Sequence, residues 1–426
     1  MESNPTLPDK THEFFLKIEG DDLHIGWVTE GLNIFIYNCR IASEGIACEI
    51  DIHSTALGRL HWGRINLFSA SGRDALVRKL RSSYPLGTDW VHVLDQTFYA
   101  AAEHIRSGTP ITQLTGSRIE KEKYLIDRLL PLYQTSIIFG DGGTGKSILA
   151  LAFSLSISGG ICYPNIRSSA RAPVLYLDYE TTEQEQNDRL GRLCRGMDLS
   201  GAMPFHYRRL IRPIVEEAVK IRADMGKYKI GFVVLDSLGP AFGNPNDPEL
   251  VIRGMNALAS FEQATRLVIS HVAKADQEKS LGSPYGSVYV RNMARSVWEL
   301  RGRIDPDGSD EIAIALYHRK ANNSKLYLPI GFKIVFSDDK IDIAYHDISE
   351  SPELLRKAGI TFQILKKLKE GQFTVKELSE TMSASEGTVR TTLSRLLDQK
   401  KVLSIEDYKG KDKKWGLMYN ERNNVT

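Results

Sequence analysis

Gly140-Asp-Gly-Gly-Thr-Gly-Lys-Ser147 is the stretch that decides how this chain folds. It satisfies the phosphate-loop pattern G-x-x-x-x-G-K-[ST] at every position. Gly140, Gly142, Gly143 and Gly145, with Asp141 and Thr144 between them, let the backbone curl and turn its N–H groups onto a phosphate. Lys146 supplies a compact positive charge, and Ser147 offers a hydroxyl to Mg²⁺. Before the loop, Ser136-Ile-Ile-Phe139 reads as a short buried strand. After it, Ser147–Ser158 reads as an apolar helix whose N-terminal dipole favours an anion. A strand, a glycine loop and a helix in that order make a nucleotide site the expectation, with ATP and Mg²⁺ as its cofactors.

Outward from the loop the chain alternates strands and helices. Strands are expected at Ser136–Phe139, Val174–Tyr179, Gly231–Leu235, Leu267–Ser270 and Ile312–Tyr317. Helices are expected at Glu183–Met197, Ile214–Met225 and Pro248–Thr265. This is the pattern of an α/β domain with a largely parallel sheet. Phe232-Val-Val-Leu235 is apolar throughout, as a central strand covered on both faces requires. Asp236 ends that strand, where a carboxylate can hold Mg²⁺ beside the phosphates. Glu180 ends Val174-Leu-Tyr-Leu-Asp-Tyr-Glu180, where it could orient and deprotonate an attacking water. Asp178 and Glu183 compete for that part. His271 follows Leu267-Val-Ile-Ser270 and could touch a terminal phosphate.

The 426 residues suffice for about three domains. A mixed α+β unit is expected over 1–115, the α/β unit over 116–348, and a helical unit over 352–426. In the first, Glu49–His53 and Arg64–Phe68 alternate like strands, and Arg73–Leu80 and Gln96–Ile105 like amphipathic helices. Its histidines His53, His61, His92 and His104 are scattered and form no motif. In the last, helices are expected over Leu354–Glu370, from Thr374-Val-Lys-Glu377 to Met382, and from Ser383-Ala-Ser-Glu386 to Gln399, both four-residue stretches reading as capping boxes. Strands near Val402–Ile405 and Trp415–Tyr419 would close a winged helix-turn-helix.

Charge is uneven. From Glu353 onward there are 15 Lys+Arg against 10 Asp+Glu, while the remainder is slightly acidic within an overall +2. Arg390 and Arg395 on the last helix, and Lys411 and Lys413 on the hairpin, are candidate duplex contacts, although Glu386 would repel phosphate and such modules also bind proteins. Cys39, Cys48, Cys162 and Cys194 show no metal or disulfide spacing, which suits a reducing cytoplasm. The opening residues lack a signal-peptide pattern, and no run of about 18 apolar residues could span a membrane.

Taken together, residues Tyr124–Phe336 resemble a RecA-fold ATPase of the RepA type, the hexameric replicative helicases of plasmids and their phage relatives. The resemblance is carried by Tyr124–Pro131, Leu177-Asp-Tyr-Glu180 with Arg189-Leu190, Val234-Leu-Asp-Ser237, Ser270-His-Val-Ala-Lys274, Gly282-Ser283, Arg295–Leu300 and Leu316–Asn322. It implies a RecA-like core, ATP hydrolysis with Glu180 as base and His271 as γ-phosphate sensor, and a homo-oligomer, hexameric by family pattern. Arg319 or Lys320 would be the cation lent to a neighbour's site, with Arg295 as a third choice. The segment Asp276–Tyr289 would face a central channel, with Lys274 and Lys279 as single-strand DNA contacts. A recombination ATPase and an ATP-gated DNA-binding regulator are the alternative readings.

Overall fold

The computed structural model describes residues 14–19, 22–84, 87–108, 111–116, 123–163, 166–201, 203–272, 282–304, 310–405 and 413–418. The chain divides into two compact units, Met1–Ile119 and Glu120–Thr426.

The first unit is a meander of five antiparallel strands, β1 (Phe14–Glu19), β2 (Asp22–Trp27), β3 (Leu32–Ala42), β4 (Gly45–Ser54) and β5 (Gly58–Asn66), paired in chain order. Helices α1 (Ala70–Ser83) and α2 (Trp90–Ser107) follow. Sequence reading found β4, β5 and both helices, with β5 lying earlier than expected, but missed β1–β3. Alternation explains the packing: Leu23, Ile25, Trp27, Ile34, Ile36, Ile50 and Ile52 point one way and are buried with Leu80, Trp90, Leu94 and Phe98 of the helices. Trp27 Nε1 donates to Thr97 Oγ1 across this core at 3.0 Å. His61 lies 3.2 Å from Lys79 Nζ.

The second unit opens on two short hairpin strands, β6 (Tyr124–Ile126) and β7 (Leu130–Pro131), before β8 (Thr135–Gly140) and α3 (Lys146–Gly159). A small hairpin, β9 (Cys162–Tyr163) and β10 (Ile166–Arg167), leads to β11 (Val174–Asp178), α4 (Glu183–Gly196), β12 (Phe205–Arg209) and α5 (Ile214–Tyr228). Then come β13 (Phe232–Asp236), α6 (Leu238–Phe242), α7 (Pro248–Ala259), β14 (Thr265–His271) and α8 (Val288–Met293). The run ends with β15 (Ser296–Ile304), β16 (Glu311–Ala321), β17 (Ile330–Phe336) and β18 (Ile341–Tyr345).

These strands build a nine-stranded sheet in the order β12-β11-β13-β14-β8-β15-β16-β17-β18. Pairing is parallel from β12 to β15 and antiparallel from β15 to β18. Helices α3 and α4 cover one face and α5–α8 the other. Helix α3 is apolar all round because it lies wholly in the interior. The expected helix Pro248–Thr265 is shorter than its pattern, since Phe261 and Ala264 turn the chain into β14. His318 of β16 stacks on Trp298 at 4.1 Å, and burial lowers its pKa to about 4, so it serves as a neutral packing ring.

The C-terminal stretch continues this unit. A 3-10 turn, Ile348–Glu350, precedes α9 (Pro352–Lys357), α10 (Ile360–Glu370), β19 (Phe373–Thr374), α11 (Val375–Met382), α12 (Glu386–Asp398), β20 (Val402–Ile405) and β21 (Lys414–Leu417). The single helix expected over Leu354–Glu370 is two, parted at Ala358-Gly359. Thr374 forms the expected capping box with Glu377. The second expected box is corrected: Ser385, not Ser383, caps α12, while Ser383 sits in the left-handed region and ends α11. Leu397 is exposed, while Thr392 takes an inward position beside Val389, Leu393 and Leu396. The strands pair in the order β19-β21-β20. Helix α9 belongs with the large sheet: Leu354 and Ala358 are buried against Ala315 and Tyr317.

Gly196 marks a close approach of α4 to β18, where an added Cβ would lie 2.0 Å from the Ile341 carbonyl oxygen. Backbone cannot yield there as a flexible side chain would. Gly196→Ala is therefore expected to lower unfolding stability by about 1–3 kcal/mol, read from the urea midpoint. A midpoint equal to that of the parent would show that the contact does not constrain the fold.

Candidate functional site

Register places the site. In the parallel pairs, Asp178 lies opposite Asp236, and His271 opposite Gly140. The C-terminal ends of β11, β13, β14 and β8 therefore finish close together, with α3 starting beside them. A cavity of about 330 Å³ opens there, lined by Gly143–Ser147, Glu180, Asp236 and His271, and also by Arg189 of α4 and Phe336 of β17. The structure thus brings together the loop and the three polar residues at separate strand ends.

Within the loop, Gly143 and Gly145 have φ of +72° and +85°, which favour glycine. Gly140 is needed for another reason: a Cβ there would lie 2.3 Å from the Leu300 carbonyl oxygen of β15. Thr144 Oγ1 donates to the Asp141 carbonyl at 2.8 Å and ties the curl. Lys146 is 6% exposed, and its Nζ donates to the Gly140 and Asp141 carbonyls at 3.0 and 2.5 Å. Burial lowers its pKa, while Asp236, Glu180 and Asp141 pull it back up.

Asp236 is 3% exposed. Its Oδ2 accepts from the Tyr176 hydroxyl at 2.6 Å, and its Oδ1 is buried without a hydrogen-bond partner. Burial pushes its pKa up, against the opposing pull of the Tyr176 and Ser147 hydroxyls. A buried carboxylate oxygen with no donor, beside a hydroxyl, fits a hard divalent cation such as Mg²⁺, which prefers oxygen ligands. Asp236 and Ser147 are the residues that would hold it.

Glu180 accepts from the Ser237 hydroxyl and lies 3.6 Å from His271 Nε2. The histidine contact is the largest influence on its carboxyl; burial opposes it and Ser237 assists, and the balance holds the pKa down to about 2. Asp178, a competitor from sequence, is committed elsewhere. It is buried and accepts from the backbone N–H groups of Glu180 and Thr181 at 2.8 and 3.0 Å, fixing the turn that presents Glu180. Glu183 opens α4 and lines a different cavity, against β12 and α5.

The three basic candidates of the far segment differ in their contacts. Arg319 places Nε and Nη2 each 2.6 Å from Glu299 Oε2. Lys320 donates to the carbonyls of Arg291, Asn292 and Ala294 at the end of α8. Arg295 is exposed and makes no side-chain hydrogen bond or ion pair among the described residues. Glu299 itself, missed from sequence, is fully buried and also accepts from Arg301 Nε at 2.6 Å, and Arg301 reaches to 3.8 Å from Asp141. A chain of charges therefore runs from the phosphate loop to Arg319. Its sequence signal was Glu299 set among Val297, Trp298 and Leu300, two residues before Arg301.

Of the expected nucleic-acid contacts, Lys274, Lys279 and Lys411 lie outside the described residues. Arg390 is exposed on α12 and pairs with Glu386 at 2.9 Å. Arg395 donates to Thr361 Oγ1 at 2.9 Å. Lys413 lies over the Trp415 ring.

The fold and the loop together identify the core. It is an α/β domain of the P-loop type, with the loop at the C-terminal ends of its parallel strands. A family model described as an AAA domain, AAA_25, matches residues 102–277. No curated protein matches the chain. Among solved structures, a KaiC-like protein from Pyrococcus horikoshii OT3 is 13% identical, covering 52% of this chain and 93% of its own, with a TM-score of 0.36. The flagellar accessory protein FlaH from Methanocaldococcus jannaschii is 16% identical, covering 51% and 91%, with a TM-score of 0.35. At those scores the likeness adds nothing to the topology already described. No helix among the described residues is long and apolar enough to cross a membrane.

Truncating Glu299 would leave two largely buried guanidinium groups without their shared carboxylate. Glu299→Ala is expected to cost about 3–5 kcal/mol of unfolding free energy, measured by chemical denaturation. A loss below about 1 kcal/mol would mean that solvent or other groups already satisfy the arginines.

Proposed function

We propose that this protein is a Mg²⁺-dependent ATP hydrolase that works as a homo-oligomeric motor on single-stranded DNA, a ring-forming helicase of the RepA type. The observation that carries the catalytic part is Glu180, presented one strand away from Asp236, bonded to Ser237 and facing His271 at the mouth of the cavity. The loop N–H groups and Lys146 bind the phosphates, and Mg²⁺ neutralises charge on their oxygens when bound. Glu180 orients the attacking water. Phosphate charge nearby would raise the basicity of this carboxylate and make it a better proton acceptor once nucleotide is bound. His271, exposed beside Glu180, would contact the terminal phosphate and sense its presence. Arg189, also in the cavity wall, adds a positive charge from α4.

The motor part of the reading rests on the order of motifs from Tyr124 to Phe336 and on basic residues beyond β15. Arg319, released from Glu299, or Lys320, with Arg295 as a third choice, would complete a neighbour's site. Residues 352–426 act as a winged helix-turn-helix, α12 entering duplex DNA with Arg390 and Arg395 and the β20–β21 hairpin following the backbone with Lys411 and Lys413.

Lys146→Ala should abolish ATP hydrolysis, and Glu180→Gln should keep ATP binding while lowering kcat by about 10²–10⁴-fold. Binding by fluorescent nucleotide and turnover by phosphate release separate the two. Parental turnover in Glu180→Gln would remove it as the base. Unwinding of a forked duplex tests the motor; ATP hydrolysis without unwinding, joined to tight binding of one duplex sequence, would favour the regulator.

Deletion of residues 359–426 keeps α9 against Tyr317 and should spare ATPase activity. Duplex affinity should fall and its salt dependence become shallower, since each lost phosphate contact removes about one unit of slope. Equal affinities and slopes with and without the segment would assign it to a protein partner.

A further inference from the structure

The first unit has a sheet covered by helices on one face only. The other face departs from the usual polar pattern of a solvated sheet. A row of rings crosses it from edge to edge: Phe15 on β1, His24 on β2, Phe35 on β3, His53 on β4 and Trp62 on β5. The register puts them there, pairing Phe15 with Gly26, His24 with Phe35, and Asp51 with Trp62, while the core residues alternate with them. Phe15 meets His24 edge-on at 5.3 Å, His24 stacks on Phe35 at 4.4 Å, and Phe35 meets His53 edge-on at 5.8 Å. Phe15 and Trp62, at the two ends, are 46% and 61% exposed. Burying such rings would be favourable, yet no core claims them.

Cations border the row. Arg40, opposite Ala47, and Arg59 and Arg64 of β5 rise on the same side and are exposed. Two acids lie in the middle of this face, Asp51 beside Arg59 at 2.9 Å and His53 at 3.0 Å, and Glu49 beside Arg64 at 3.6 Å, so Arg59 and Arg64 would exchange these carboxylates for phosphates. Asp22 lies at the far corner, by the β1–β2 turn. Strands about 4.8 Å apart place neighbouring rings at steps that unstacked bases can occupy. Flat rings with arginines alongside are the chemistry that holds a single strand: bases on the rings, phosphates on the cations.

We infer that this open face binds single-stranded nucleic acid, with bases stacked on Phe15 and Trp62 at the two ends of the row and the backbone tracked by Arg40, Arg59 and Arg64. The site lies wholly within the first unit and needs neither nucleotide nor hydrolysis. Its presence would hold a strand on the first unit whatever the state of the second.

The chain offers its own reporter. It has five tryptophans, and Trp27, Trp90, Trp298 and Trp415 are at most 8% exposed, so Trp62 dominates solvent-accessible emission. The full-length protein, without nucleotide, is titrated with the single strands dT20 and rU20, following tryptophan quenching and the anisotropy of end-labelled strands. Saturable quenching by one or both is expected, the tighter of the two telling DNA from RNA. Trp62→Phe should lose the quenching and keep the affinity, because phenylalanine still stacks. The double variant Phe15→Ala/Trp62→Ala should bind about tenfold or more weakly, and Arg64→Glu should weaken binding and flatten its salt dependence. Both ring positions are exposed, so an unchanged melting curve will show that the fold persists; an altered one moves the test to Trp62→Phe and Arg64→Glu alone. Binding without quenching of Trp62, or unchanged affinity in the double variant, overturns the inference. So does a change in sedimentation on Trp62→Ala with strand affinity unaltered, which would make the face a protein-docking surface.

Discussion

The parallel register of β11, β13, β14 and β8 is the constraint on which the site depends. It brings Asp236 level with Asp178, and His271 level with Gly140. These residues are separated in sequence by at least one whole helix, so no local interaction could assemble them. The same register lets β15 pass so close to the loop that only glycine fits at position 140. The cavity at these strand ends is a consequence of how the sheet is wound, as is usual for ligand sites in open α/β sheets.

Charge at that cavity is arranged by burial. Asp236 gives up water for one hydroxyl and keeps an oxygen unmatched, while Lys146 is turned onto the loop's own carbonyls. Both groups are pushed toward neutrality by desolvation, and each is drawn back by its neighbours. Such a site favours a ligand that brings anionic phosphates and a cation together. Beneath it, Glu299 binds two arginines in the interior, where breaking the set costs more than forming it gained. That set connects the loop's Asp141, through Arg301, to the strand that carries Arg319 and Lys320.

The parts outside the large sheet illustrate two uses of amphipathic surface. Helix α9 packs its apolar residues on the large sheet, so the C-terminal stretch begins as part of that unit and only then forms its own small core of Leu378, Val389, Leu393 and Leu396. The N-terminal sheet covers one face with two helices and leaves rings on the other. Alternating strands make both outcomes possible from one chain, because residues one apart face opposite sides.

The sequence by itself determined the phosphate loop, its flanking strand and helix, and the order of α and β elements, because glycine conformations, hydrophobic period and short spacing are local properties. It also brought out Asp236, Glu180 and His271 as strand-end candidates and Thr374 as a cap, since those positions follow from where an apolar run stops. It could not choose between Glu180 and Asp178; that depended on Asp178 turning inward to bind two backbone N–H groups, a contact set by the fold. It missed β1–β3, whose exposed aromatic positions blur the alternation that marks a half-buried strand. Glu299 with its two arginines, the break at Ala358-Gly359 and the aromatic row across the first sheet were decided by the tertiary structure alone. Each arises from residues brought together by strand pairing or by one element packing on another, and no spacing along the chain encodes such a meeting.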